Sequence, residues 1–132
     1  MIRLSKQKGF SIVEIIIVLL ILAILVFALT PAYRSYQMRA NRSDAIKSIL
    51  AIQVAQEKYR IGATTYAPLA SIWSGTNSYE GYYRMGVSNN TGTTYTITAT
   101  GLTSQTADTG CVTLTLTSSN GTATQTPASC WQ

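Results

Sequence analysis

The stretch Gly9-Phe10-Ser11-Ile12-Val13-Glu14-Ile15-Ile16-Ile17-Val18-Leu19-Leu20-Ile21-Leu22-Ala23-Ile24-Leu25-Val26-Phe27-Ala28-Leu29-Thr30-Pro31 decides the fold. From Ile15 to Leu29 no side chain is charged or hydrogen-bonding, and from Phe10 to Leu29 only Ser11 and Glu14 interrupt the apolar run. The twenty-one residues from Phe10 to Thr30, as helix at ~1.5 Å each, span roughly 31 Å, the thickness of a bilayer core. A helix that is apolar all round belongs in lipid or in the middle of something large. The chain has 132 residues and no second comparable segment, so one copy offers nothing large enough. The segment is expected in lipid, among copies of itself, or in each at different times.

Glu14 is the informative defect. A carboxylate in an apolar helix costs about 2.5 kcal/mol or more unless it protonates or pairs. The plainer account places it near the helix end, reaching to the membrane surface. The sharper one gives it a partner on another chain, because no Lys or Arg lies between Phe10 and Tyr33. A cut between Gly9 and Phe10 would create an α-amino group near the depth of this carboxylate, and that amine on a neighbouring copy is a natural counter-charge.

Lys8-Gly9-Phe10-Ser11-Ile12-Val13-Glu14, followed by the apolar run, Pro31 and Tyr33, resembles the type III signal sequence of bacterial type IV pilins. The resemblance implies that a prepilin peptidase removes residues 1–9, cutting after Gly9 and methylating Phe10. It also implies that Glu14 neutralises a neighbour's terminal amine during assembly. The basic leader (Arg3, Lys6, Lys8) ends in Gly before the apolar run. An ordinary secretory signal would instead place its cut behind that run, at small residues. Ala28-Leu29-Thr30-Pro31 is a poor site of that kind, because Pro follows directly. Charge does not decide topology, since Arg34, Arg39 and Arg42 follow the segment. The inside-N orientation comes from the resemblance.

Pro31 removes one backbone donor and is expected to kink or loosen the helix around Phe27 to Leu29 rather than end it. No Gly or Pro occurs from Ala32 to Ile61. Ala45, Ile46, Ile49, Leu50, Ile52, Val54, Ala55 and Tyr59 form a broad apolar stripe, with Asp44, Lys47, Gln56, Lys58 and Arg60 largely off it. The helix is thus expected to be membrane- or filament-core-like over residues 10–31 and amphipathic over 32–61, with Gly62 as its stop. Arg34, Arg39, Arg42 and Lys47 make a basic patch. They are candidate contacts for nucleic acid, lipid headgroups or neighbouring subunits, although a charge run is more commonly a solvated face.

Residues 62–132 read as an antiparallel β head. The loop from Gly62 to Asn77 carries Tyr66, Pro68 and Trp73, and its aromatic side chains are expected to pin it to the domain. Tyr82 to Val87, Tyr95 to Thr100 and Cys111 to Thr117 are expected strands, the last two alternating apolar residues with Thr. Asn120-Gly121 is a hairpin turn before a short strand near Thr122 to Gln125. Val112, Leu114 and Leu116 are expected to face the amphipathic half of the helix, which covers the sheet. The fold class is therefore α+β: a long N-terminal helix packed on a small antiparallel sheet.

Cys111 and Cys130 are the only cysteines. In a small domain carried outside the cytoplasm an even pair reads as a disulfide. Closing a loop of about twenty residues stabilises by about 3 kcal/mol in the chain-entropy model. The resemblance points the same way, since pilins close a C-terminal loop like this. Thr-Ala-Thr ahead of the cysteine pair, and Cys130-Trp131 at the end, are most similar to the PilE and ComP group of minor pilins.

Removing residues 1–9 would leave seven basic against five acidic residues, so the precursor's pI near 9.4 overstates the basicity of the working protein. There is no His for a general base, the five acids are scattered, and no phosphate-cradling Gly loop occurs. The expectation is a non-enzyme without metal or cofactor. Its partners would be other pilin subunits, the prepilin peptidase, the inner membrane before assembly and, as a candidate, DNA. Its places would be the inner membrane and then the extracellular pilus. Three readings stand: a structural subunit, more a minor than a major pilin, serving adhesion, twitching motility or DNA uptake; a DNA-binding competence pilin; and a pseudopilin of a type II secretion system. From Gly62 onward only Arg84 opposes Glu80 and Asp108, which weighs against the second. A single Asp108 weighs against the calcium loop expected of the third.

Overall fold

The structure is a computed structural model, and it describes residues 9–132. The expected leader lies outside the described residues except for Gly9. The chain forms two compact units, one reaching to Arg34 and the other running from Ser35 to Gln132.

Helix α1 spans Ile12–Arg60 and contributes to both units. The first unit holds its apolar stretch. Every residue from Ile12 to Arg34 is exposed, so none of this apolar surface is covered within one copy. By length and composition this part of the helix is fit to cross a membrane. The helix continues through Pro31 rather than ending there. Next to that proline, the Thr30 hydroxyl donates to the Val26 carbonyl at 2.7 Å.

In the second unit, α1 ends at Arg60, just before the expected Gly62 stop, with the Gly62 amide donating to the Tyr59 carbonyl at 3.2 Å. The loop that follows holds one short helix, α2 (Leu69–Ile72), which its composition did not reveal. Four strands come next: β1 Tyr83–Ser88, β2 Thr94–Gly101, β3 Thr113–Ser119 and β4 Thr122–Thr126. They pair in sequence order, all antiparallel, as a meander. At the β3–β4 turn Asn120 and Gly121 have φ of 49° and 81°, the left-handed pair that a two-residue hairpin demands.

Alternation along the strands builds the core. Tyr83 and Met85 of β1, Tyr95, Ile97 and Ala99 of β2, and Leu114 and Leu116 of β3 are buried against Ala45, Ile49 and Ile52 of α1. The Thr residues between them face outward: Thr96 pairs with Thr117, and Thr98 with Thr115. No residue of β4 is buried. Cys111 and Cys130 form the disulfide, with Cα atoms 5.7 Å apart, and both sulfurs belong to the core.

The stripe on α1 is not the one its hydropathy pattern indicates. Leu50, Val54 and Tyr59 are exposed, whereas Asp44, Ser48 and Gln56 are buried. The inner face is Ala45, Ser48, Ile49, Ile52 and Gln56, a mixed face whose polar members all find partners.

Candidate functional site

At the N-terminal end, Gly9 and Phe10 precede the helix, and Phe10 is exposed. Glu14 falls in the first turn of α1 and its side chain is exposed. A carboxylate there is favoured by the helix dipole, so Glu14 suits its helix end while still facing outward.

The residues of the basic patch differ in exposure. Arg34 is exposed in the first unit, and Arg39 and Lys47 are exposed in the second. Arg42 is committed: its Nε and Nη2 donate to the two carboxylate oxygens of Asp108, each at 2.6 Å. Both side chains are largely buried, at 15% and 6% exposure. The hydrogen bond to Asp108 pushes the Arg42 guanidinium further up from its ordinary pKa. Sequence alone hides this pair, because 66 residues separate its members.

Side chains of the same helix also hold loops and sheet of the second unit. Gln56 clamps Ala67 in both directions, donating to its carbonyl at 2.8 Å and accepting from its amide at 2.7 Å. Gln105, in the 3-10 turn Thr103–Ala107, donates to the Tyr83 hydroxyl at 2.8 Å and accepts from Asn41 at 3.1 Å. Glu57 accepts from the Tyr95 hydroxyl at 2.9 Å. Burial, then that bond to a carboxylate, pushes the Tyr95 phenol up to about 12. Tyr66 is pinned as expected, its ring meeting that of Tyr95 edge-on at 4.5 Å. Trp73 also packs against the core as expected, and its half-buried ring lines a surface cleft, edge-on to the exposed Tyr79.

Charge is redistributed by these contacts. Asp44 and Asp108 are buried and hydrogen-bonded, whereas Arg39, Lys47, Lys58 and Arg84 are exposed. From Ser35 to Gln132 there are six basic and four acidic residues, a balance of +2. The count from Gly62 onward has the opposite sign, because it leaves out residues 35–61, where Arg39, Arg42, Lys47, Lys58 and Arg60 face only Asp44 and Glu57. The outward face of the sheet carries Arg84 from β1 beside the Thr hydroxyls of β2 and β3, with no acidic residue on any strand.

Residues 31–115 match the family described as type IV minor pilin ComP, DNA uptake sequence receptor, and residues 4–30 match the prokaryotic N-terminal methylation motif. A fimbrial protein of Neisseria meningitidis serogroup B is 34% identical over 77 residues, covering 58% of this chain and 41% of that one. Type II secretion system core protein G of Klebsiella michiganensis is 28% identical over 64 residues, covering 48% of this chain and 45% of that one. The core protein G of Vibrio cholerae serotype O1 is also 28% identical over 64 residues, 44% of its length. The chain thus spans less than half the length of these curated relatives.

Proposed function

The chain belongs to the family of type IV minor pilin ComP, DNA uptake sequence receptor, and from that premise we propose that it is a structural subunit of a type IV pilus whose C-terminal unit contacts DNA. The observation that carries the structural role is the uncovered apolar surface from Ile12 to Leu29. Leaving it in water forgoes ~25 cal/mol for each Å². Lipid before assembly and neighbouring helices afterwards both remove it. Removal of the leader after Gly9 frees the Phe10 amine, which methylation caps. The Glu14 carboxylate then pairs with that amine on a neighbouring copy. The peptidase acts on this chain as substrate; the chain itself supplies packing and a surface. Mass spectrometry of sheared surface fibres tests this: the expected product begins at methylated Phe10, and a chain recovered only with its leader attached would overturn the reading.

The DNA contact rests on the family description together with the charge distribution. Exposed Arg39, Lys47, Lys58 and Arg84 offer phosphate contacts, while two of the four acids in this unit are turned inward. The likeness to secretion-system core proteins keeps a pseudopilin role as the second reading. Against a calcium loop built on Asp108 stands its bidentate bond to Arg42, which occupies both carboxylate oxygens. Deletion of the gene separates the readings: loss of DNA uptake with secretion intact supports the first, and the reverse supports the second.

A further inference from the structure

Beside the N-terminal end of β1 lies a cleft of about 260 Å³ lined by Trp73, Ser74, Asn77, Ser78 and Tyr79. Its two aromatic rings meet edge to face, with centroids 4.9 Å apart and planes at 65°, so they form a corner. Tyr79 is 67% exposed. The Trp73 indole N–H donates to the Asn77 carbonyl at 2.9 Å, which fixes the ring. The polar lining is uncharged: Ser74 and Asn77 are exposed, and Ser78 lies beneath.

The wall that carries Tyr79 is held from below by two fully buried residues of α1. Asp44 accepts from the Ser78 hydroxyl and from the Glu80 amide, the latter at 3.0 Å. The Ser48 hydroxyl accepts from the Tyr79 amide at 3.1 Å. Asp44 is 1% exposed and Ser48 0%. Burying a carboxylate costs several kcal/mol unless it is hydrogen-bonded. Here both of its oxygens are committed to one short surface turn. That anchoring fixes the backbone from which the exposed Tyr79 ring projects, and pre-ordering of this kind lowers the entropic cost of binding.

We propose that this cleft binds one ring of a neutral carbohydrate. A pyranose presents a face of C–H bonds, weakly positive, to the negative face of an aromatic ring, and presents hydroxyls at its edge. The Trp73–Tyr79 corner matches the first, and the Ser74 hydroxyl and Asn77 amide match the second. The volume suits a single ring. A nucleic acid strand is the poorer occupant, because no cation lines the cleft. The inference stands apart from the filament and DNA readings and uses none of their residues.

The test uses the full chain in a zwitterionic detergent without a sugar headgroup, titrated with maltotetraose and with cellotetraose. Trp131→Phe leaves Trp73 as the only tryptophan and makes its fluorescence the reporter. The expected result is a saturable change with at least one probe below ~10 mM. Tyr79→Ala should weaken binding roughly tenfold, Asn77→Ala should weaken it too, and Tyr79→Phe should retain it. Tyr79 is exposed, so these variants should unfold at the parental temperature, which the same fluorescence records. No saturable change with either tetrasaccharide, or a change indifferent to Tyr79→Ala, overturns the proposal. So does a Tyr79-dependent signal produced by a single-stranded oligothymidylate and by neither sugar.

Discussion

The Arg42–Asp108 pair is the interaction with most at stake at a single residue. Its value is not that of a surface ion pair, since the Asp108 side chain is 6% exposed and both of its oxygens are bonded. Arg42→Ala leaves that carboxylate buried and uncompensated, a situation that costs roughly 3 kcal/mol. Urea denaturation should show that loss, and Arg42→Lys should recover only part of it, because an ammonium lacks the two-pronged fork. Tyr95 supplies a second case, with a sign that can be worked out. Its phenol titrates near 12 in the folded chain and near ~10 when unfolded, so between those values the unfolded state sheds its proton first. Stability is therefore undiminished by this group below about pH 10 and falls as pH rises from there towards 12. Tyr95→Phe should flatten that alkaline loss, read as the slope of unfolding midpoint against pH.

At the scale of elements, the strands were legible and the inner face of α1 was not. Alternation of Thr with Val, Ile and Leu placed β2 and β3 within a residue or two, and Asn120-Gly121 located the last hairpin. Those signals are local, and a period of two is written directly into neighbouring residues. The chemistry of Asp44 and Gln56 points outward, yet both are buried; their partners are loop atoms at Ser78, Glu80 and Ala67, which no periodicity identifies. Leu50 and Val54 erred the other way, as apolar residues that one copy leaves exposed. The disulfide was legible because only two cysteines exist to pair. Cys111→Ser should loosen the segment from Pro127 to Gln132, costing about 3 kcal/mol, and limited proteolysis of the C-terminal unit should then cut faster there. For α1 itself, Glu14→Val removes the only charge between Phe10 and Tyr33. Insertion in the membrane should be unaffected or improved, while the amount recovered in sheared fibres should fall; normal recovery would remove Glu14 from assembly.

For the whole molecule, the proposed division of labour between the two units would make assembly and DNA contact separable. The first unit offers lipid-like surface and one carboxylate, and the second offers hydroxyls and exposed cations around a satisfied core. Arg84 lies on the outward face of β1, opposite Thr100 in the register, and no core residue depends on it. Arg84→Ala should leave the fibre count unchanged. Removing one cation that neutralises a phosphate reduces the steepness with which affinity falls as salt rises, by about one in the log–log slope. Titrating duplex DNA against the full chain between ~50 and ~200 mM salt should thus give a shallower line for Arg84→Ala. Lys47→Ala and Lys58→Ala, on the helix, discriminate further. If DNA lies on the outward sheet face, they leave the slope alone. If it runs along α1, they flatten the slope and Arg84→Ala does not. A slope unchanged in these three variants and in Arg39→Ala removes these cations, and with them the electrostatic support for DNA contact by this unit.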